Sequence, residues 1–132
     1  MTMDDKQNVL LIDDDKFLVD MYAMKFTQQG YNTMTALSVR DALNALRGGF
    51  KPDAILFDLV MPGEDGFSFI KAVMDEKLAQ SAVKIALTNQ SDDAERTKVV
   101  QLGADKCVVK ASVVPSEVVN IVAEALSGKR KS

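Results

Sequence analysis

The sequence predicts an α/β fold: a doubly wound, five-stranded parallel sheet with helices on both faces. Three observations predict it. Short, continuous apolar runs of strand type alternate along the chain with longer segments of helical periodicity. The β-α alternation repeats five times, with connections short enough for right-handed crossovers into one sheet. Four of the five runs end on a functional polar side chain, as expected where such a sheet presents its carboxyl edge to a ligand.

Val9-Leu-Leu-Ile12 is the first strand, and it ends in Asp13-Asp14-Asp15. Phe17, Met21 and Met24 recur at i, i+4 and i+7 and predict the inward face of a first helix, ended by Gly30. Tyr31 to Ala36 reads as a more polar strand suited to a sheet edge. Ser38 is placed as an N-cap, with Asp41 in the first turn and Val39, Leu43 and Leu46 on one face of a helix closed by Gly48-Gly49. Asp53 to Phe57 forms the third strand with Asp58 at its mouth. Pro62, Gly63 and Gly66 then turn the chain into a helix whose Ile70, Val73 and Met74 are expected to face inward, while Glu64 and Asp65 read as solvated loop acids. Val83 to Leu87 is the fourth strand and runs into Thr88-Asn-Gln. Ser91, followed by Asp92 and Asp93, opens a helix to about Leu102-Gly103 with the weakest apolar stripe of the five. Cys107-Val-Val109 is a short fifth strand ending on Lys110, and Val118, Ile121, Val122 and Ala125 mark the last helix before Gly128. An ordered core of about 7–127 and a basic tail of 128–132 are expected within a single domain spanning 1–132.

A chain of 132 residues is large enough to bury one substantial core, and 47% hydrophobic with 27% charged residues matches a water-facing globular domain. The net charge of -3 and pI near 4.9 argue against a broad phosphate-neutralising surface, so no direct nucleic-acid binding is expected. The basic cluster Lys129-Arg-Lys131 reads as a solvated tail or the stub of a linker. Cys107 is the single cysteine, which excludes an internal disulfide and fits a reducing compartment. With no apolar stretch of transmembrane length and a polar, acidic N-terminus, a cytoplasmic protein is expected, with no membrane association. The seven Met residues read as core filler on helix faces. The absence of His excludes a histidine metal site, a Ser-His or Cys-His nucleophile and a phosphohistidine on this chain.

Asp13 and Asp14, Asp58, Thr88 and Lys110 follow four different strands and converge on one rim. Singly each has an ordinary explanation: helix-dipole acids, a strand-end hydroxyl, a solvated lysine. Asp15 is assigned that ordinary role, as a cap or first-turn acid of the first helix. Together they carry chemistry. Crowded carboxylates repel unless a cation lies among them, and hard oxygen ligands without His or thiolate suit Mg²⁺, with Mn²⁺ the alternative. Lys110 supplies a fixed positive charge and Thr88 a hydroxyl donor, both suited to a phosphate oxygen. The set matches phosphoryl transfer to an aspartate, in which catalysis is mostly positioning and electrostatics.

On these motifs the chain resembles the response-regulator receiver domain of two-component signalling over nearly its whole length. The resemblance is carried by Val9-Leu-Leu-Ile-Asp13-Asp14-Asp, Phe57-Asp58-Leu-Val-Met-Pro62-Gly-Glu-Asp-Gly66, Ala86-Leu-Thr88-Asn-Gln and Gly103-Ala-Asp-Lys-Cys-Val-Val-Lys110, in order. It implies a flavodoxin-like sheet of strand order 2-1-3-4-5 and a regulatory module instead of a turnover enzyme. It also implies Asp58 as phosphoacceptor and metal ligand, Asp13 and Asp14 as the acidic pair serving Mg²⁺, and the Val60 backbone carbonyl as a further ligand. Thr88 would be the switch hydroxyl and Lys110 the phosphate-pairing cation. The implied phosphodonor is a histidine kinase or a His-containing phosphotransfer protein, the output a change in binding to a downstream protein, and the assembly a monomer or weak dimer.

Two positions depart from the family pattern. Ala111 follows Lys110 where receivers carry Pro, and because a cis bond before a non-proline residue costs about 2.5 to 4 kcal/mol, a trans Lys110–Ala111 peptide is expected. Cys107 stands where receivers carry Tyr or Phe, and a thiol is too small to act as that inward-turning lever; output by displacement of the helix after Ser91, or phosphate relay with little conformational output, is expected instead. Two other chemistries use an acid at a strand end or a loop of this fold. A haloacid-dehalogenase-like Mg²⁺ phosphatase wants a second Asp two residues after the nucleophile, where this chain has Val60, and a cap for which there is no room. A flavodoxin-like nucleotide or flavin module wants Gly and Ser in the first loop, where this chain has acids.

Overall fold

The structure, a computed structural model, describes residues 6–61, 63–89, 93–110 and 113–131, the last three by backbone alone. In order it forms β1 (Asn8–Ile12), α1 (Lys16–Gln28), β2 (Asn32–Ala36), α2 (Val39–Arg47), β3 (Ala54–Asp58), α3 (Gly66–Asp75), β4 (Val83–Thr88), α4 (Asp93–Leu102), β5 (Lys106–Val109) and α5 (Pro115–Lys131). The strands make one sheet in the order β2-β1-β3-β4-β5, every pairing parallel, as the sequence predicts. The placements of Pro62, Ser91, Asp92 and the Lys110–Ala111 peptide fall outside the described residues.

Strand alternation sorts the core into two layers. Val9, Leu11, Ala54, Leu56, Ile85 and Leu87 pack with α1 and α5, whereas Leu10, Ile12, Ile55, Phe57 and Ala86 pack with α2, α3 and α4. Phe57 and Phe69 set their rings 5.2 Å apart at 53°, tying β3 to α3. The central strands are buried on both faces, which is why they read as unbroken apolar runs; β2 is largely exposed, as an edge strand should be. β4 carries one charge into this interior. Lys84 is buried, its Nζ donating to the Ala82 carbonyl at 2.9 Å and its backbone N–H to Asp105 Oδ2 at 2.8 Å.

The first helix turns a different stripe inward from the one its spacing suggested. Val19, Tyr22 and Phe26 are buried, while Phe17 is 77% and Met24 58% exposed. Both stripes satisfy helical spacing, and docking on the sheet chooses between them by where the preceding loop delivers the helix. Met74 is likewise exposed although Ile70 and Val73 are buried, so Met in this chain serves partly as surface. In α5 the buried side chains are Val118, Val119, Val122 and Leu126, with Ile121 and Ala125 half-buried beside them. The final helix also runs on through Gly128 to Lys131; Gly128 does not take the positive φ that would make it a terminator, and residues 128–131 are the last turn of a helix.

Helix ends follow from local chemistry. Ser38 acts as an N-cap as expected, and Asp15 takes the cap rather than the first-turn position of the two open to it; they accept from the backbone N–H of Asp41 at 3.1 Å and Leu18 at 3.2 Å. Asp65 is a third cap, accepting from Ser68 N–H at 2.9 Å, and is thus more than a solvated loop acid. At the end of α1, Tyr31 N–H donates to the Phe26 carbonyl and Gly30 N–H to the Thr27 carbonyl, with Gly30 at φ +93°. That is the Schellman arrangement, completed by an edge-to-face contact of the Phe26 and Tyr31 rings at 5.5 Å. α3 closes in the same way with Leu78 N–H on the Val73 carbonyl, but the left-handed position is Lys77, at φ +56°. A left-handed L-residue costs roughly 1–2 kcal/mol, from which glycine's extra unfolded-state freedom subtracts roughly 0.4–1 kcal/mol. Lys77→Gly is therefore expected to raise stability by about 0.5 kcal/mol, seen as a higher urea midpoint at unchanged slope; a lower midpoint would contradict this account of the turn.

Candidate functional site

The carboxyl edge of the sheet gathers the polar strand ends because the strands run parallel and in near-even register. Ile12 lies opposite Phe57, Asp58 opposite Leu87, and Thr88 opposite Val109. The residues one step further, Asp13, Asn89 and Lys110, therefore emerge side by side. Asp13, Asp14, Asp15, Asp58, Val60, Asn89 and Lys110 line one open cleft of about 640 Å³, walled by Tyr22 and Met21 of α1, by Val113 and by Pro115 at the start of α5.

Lys110 is the centre of its electrostatics. Its Nζ donates to Asp13 Oδ2 at 2.9 Å and to Asp58 Oδ2 at 3.3 Å. The other oxygens are held by backbone: Asp13 Oδ1 accepts from Asp15 N–H at 3.0 Å and Asp58 Oδ1 from Val60 N–H at 3.3 Å. Asp13 and Asp58 are 2% and 3% exposed, whereas Asp14 is open to solvent. Burial raises the Asp58 pKa above the ordinary carboxylate value, and the Asp13 charge adds to the rise, while Lys110 and the Val60 N–H oppose it. Burial works against the Lys110 ammonium as well, but its hydrogen bond to Asp13 and the two carboxylate charges outweigh it and raise its pKa. The phenol of Tyr22 is raised by burial first, with Lys110 pulling the other way and Asp13 and Asp58 reinforcing the rise.

The donor set fits a divalent cation. Asp13, Asp14 and Asp58 can each place one carboxylate oxygen within 4.8 Å of the others. At that spacing two like charges repel by about 3 kcal/mol for an effective dielectric constant near 20. Three carboxylates against one ammonium leave two negative charges, half-sheltered from water. An all-oxygen set with two charges to balance is what Mg²⁺ takes.

Thr88 is not part of that cluster. It is buried, and its Oγ1 donates to Glu95 Oε1 of α4 at 3.4 Å. Sequence reasoning placed Thr88 at the rim but not on Glu95, because nothing in the spacing of a short exposed helix singles out one acid. Tyr22 and Asn89 were missed as cleft residues too; Tyr22 belongs to the buried stripe of α1 that the Phe17–Met24 periodicity concealed. Cys107 is half-buried, and burial raises its thiol pKa, opposed by Arg96, so it behaves as a small packing group with no thiolate character.

A doubly wound parallel sheet with an acid cluster and a lysine at its carboxyl edge is the class that this fold and site define, and comparison with known proteins names the family. Residues 9–123 match the response regulator receiver domain, and the chain belongs to that family. Among curated relatives, the transcriptional regulatory protein AfsQ1 of Streptomyces coelicolor is 34% identical over 103 residues, covering 78% of this chain and 44% of AfsQ1. The phosphate regulon transcriptional regulatory protein PhoB of Escherichia coli is 27% identical over 79% of this chain and 45% of its own length. This chain thus spans less than half the length of these relatives. Among solved structures, the chemotaxis response regulator CheY4 of Vibrio cholerae is 26% identical at a TM-score of 0.81, covering 92% of this chain and 98% of CheY4. A CheY-like receiver domain from Methanospirillum hungatei shares the fold at a TM-score of 0.86 and 21% identity, covering 96% of this chain and 98% of its own. Family membership displaces the phosphatase and flavin-binding readings.

Two outcomes follow from the geometry. Asp58 has a folded-state pKa above its unfolded one, so without divalent cation its contribution to stability is present at low pH and lost as pH rises from the ordinary carboxylate range through the raised value. Asp58→Asn should remove this loss and stabilise the metal-free protein at pH 7 by roughly 1 kcal/mol, read as a higher melting temperature; an unchanged or lower one would count against net repulsion in the cluster. The second concerns Gly66, where an added Cβ would lie 2.5 Å from the Asp58 carbonyl oxygen and 2.8 Å from Leu59 Cα. Gly66→Ala must displace backbone at the site and should cost roughly 1–3 kcal/mol in chemical denaturation.

Proposed function

We propose that Asp58 accepts a phosphoryl group, and that this chain is a regulatory module that changes partner binding in response. The observation that carries the reading is the single Lys110 ammonium set between Asp13 and Asp58, with Asp14 in reach of the same centre. Asp13, Asp14 and Asp58, with the Val60 backbone carbonyl, would hold Mg²⁺, with Mn²⁺ the alternative. Bound there, the cation would supply neutralisation of charge on the phosphoryl oxygens.

The chain's own residues do the rest. Asp58 presents a carboxylate oxygen at a strand mouth to an arriving phosphorus. A P–O bond forms as the P–N bond of a phosphohistidine breaks, and the bonding pair returns to the imidazole nitrogen of the donor. Lys110 pairs with the transferred group, and Thr88 offers its hydroxyl to a phosphoryl oxygen. With no His of its own, the chain cannot carry the phosphohistidine itself, and the protein donor in this reading is a histidine kinase or a phosphotransfer protein. Exposed apolar side chains lie in the cleft lining or next to it in sequence: Val60 in the lining, Phe17 beside Leu18, and Val114 between Val113 and Pro115. Such a rim suits a partner that must dock closely to bring a histidine to Asp58. A cytoplasmic setting, a downstream protein partner and a monomer or weak dimer complete the reading.

The test is incubation with acetyl phosphate and Mg²⁺, read by intact mass. Wild type should gain one phosphoryl group, Asp58→Ala none, and excess chelator should suppress the gain at least tenfold, about 1.4 kcal/mol of barrier or more. A wild-type protein that stays unmodified, or a mutant that does not, would end this assignment.

A further inference from the structure

Tyr22 is the aromatic wall of the cleft, and it carries a hydroxyl that the protein itself does not use. Its side chain belongs to the buried stripe of α1, in one cluster with Val19 and Phe26, and is only 4% exposed. A tyrosine so deeply buried ordinarily finds a partner for its O–H. Tyr22 Oη makes no hydrogen bond among the described residues, yet no side-chain oxygen sealed from solvent lacks a partner among them. The oxygen is therefore the part of the side chain that stays open, and it opens onto the cleft of Asp58 and Lys110.

The surroundings decide what that hydroxyl can do. The phenol lies within electrostatic reach of Lys110, Asp13 and Asp58 together. A phenol titrates at about pH 10, so at neutral pH it keeps its proton and can donate. All four oxygens of Asp13 and Asp58 are already served at rest, two by Lys110 Nζ and two by the backbone N–H groups of Asp15 and Val60. The phenol is left as a donor facing an acidic cleft with no acceptor assigned to it.

Phosphorylation supplies one. A bond forms between an Asp58 carboxylate oxygen and phosphorus as the bond from phosphorus to the donor's leaving atom breaks, and the leaving group keeps the electron pair. The transferred group brings strong acceptor oxygens and nearly a full extra negative charge into the cleft. Lys110 commits two of its three N–H groups to Asp13 and Asp58 at rest, so a further donor on the opposite wall has work to do.

Resting on the reading of Asp58 as phosphoacceptor, we propose that Tyr22 binds the transferred group, its hydroxyl donating a hydrogen bond to a phosphoryl oxygen from the α1 wall of the cleft. The phenol keeps its proton throughout and acts as a fixed donor additional to Lys110. No hydrogen bond among the described residues must break for this one to form, so it favours the transition state and the product over the resting site.

The experiment compares wild type, Tyr22→Phe and Tyr31→Phe for phosphorylation rate with acetyl phosphate and Mg²⁺, read by intact mass, and for unfolding in urea. Tyr22→Phe deletes the oxygen and keeps the ring, and its rate constant should fall roughly threefold to tenfold. Its urea midpoint should equal or exceed that of wild type, because no hydrogen bond within the protein is lost. Tyr31→Phe removes the chain's other phenol, outside the cleft lining, and should be phosphorylated as fast as wild type. With ring-labelled tyrosine, each resonance assigned by its Phe variant, Cζ of Tyr22 should shift on phosphorylation as the hydroxyl gains a charged acceptor, while Cζ of Tyr31 stays in place. Tyr22→Phe phosphorylated at the wild-type rate, a Tyr22 resonance that does not move, or a lower urea midpoint, which would mean that the hydroxyl is already used inside the protein, would each overturn the proposal. A wild type that takes up no phosphoryl group would overturn the Asp58 reading, and this proposal with it.

Discussion

Lys110 reaches back to carboxylates 97 and 52 residues earlier in the chain, and this one ammonium holds the ends of β1, β3 and β5 to a common point. Its charge is insufficient for the acids around it. Asp13 and Asp58 are nearly sealed from water, Asp14 stands beside them, and burial alone already drives Asp58 toward its neutral form. A fold that places such a cluster at its edge carries an energetic cost that a bound cation would relieve.

The body of the protein exists to hold this arrangement in register. Central strands buried on both faces fix the heights at which Asp13, Asp58 and Lys110 leave the sheet. α1 and α5 cover one face of the sheet, and α1 contributes the buried Tyr22 to the cleft wall. Gly66 brings the start of α3 against the backbone of Asp58 and Leu59, at a distance no side chain would allow. The opposite layer is less uniform. α2 and α3 bury several side chains each, while α4 buries only Val99 and meets the site through Glu95 on Thr88. Of the helices on the sheet, α4 has the least buried apolar area to lose on moving.

Much of this was legible in the residues. Five strands, five helices and their order follow from apolar runs and turn chemistry, and two N-caps, Asp15 and Ser38, were readable because capping is a local interaction between neighbours in sequence. Asp13, Asp14, Asp58 and Lys110 were readable as a group because parallel strands deliver their carboxyl ends to one edge. What failed did so for a common reason. α1 carries two apolar stripes of equal helical spacing, and only contact with the sheet decides that Val19, Tyr22 and Phe26 go inward while Phe17 and Met24 stay out. Gly128 looks like a helix end in sequence, yet a glycine terminates a helix only if its φ turns positive, and here the helix continues. Asp65 passed for a loop acid because the start of α3 is a glycine, which hides the cap preceding it.

The sequence by itself determined the class of fold, the acids and the lysine of the site, and the exclusion of histidine chemistry on this chain, because all of these depend on residue type and on intervals that a parallel sheet converts directly into proximity. Tertiary structure alone decided which stripe of α1 is core, that Tyr22 walls the cleft, that Lys84 is buried in β4, and that Thr88 faces Glu95 and not the carboxylates. Those are matters of side-chain direction between elements distant in sequence. Periodicity says how often a helix presents a face, but packing chooses which face is presented, and to what.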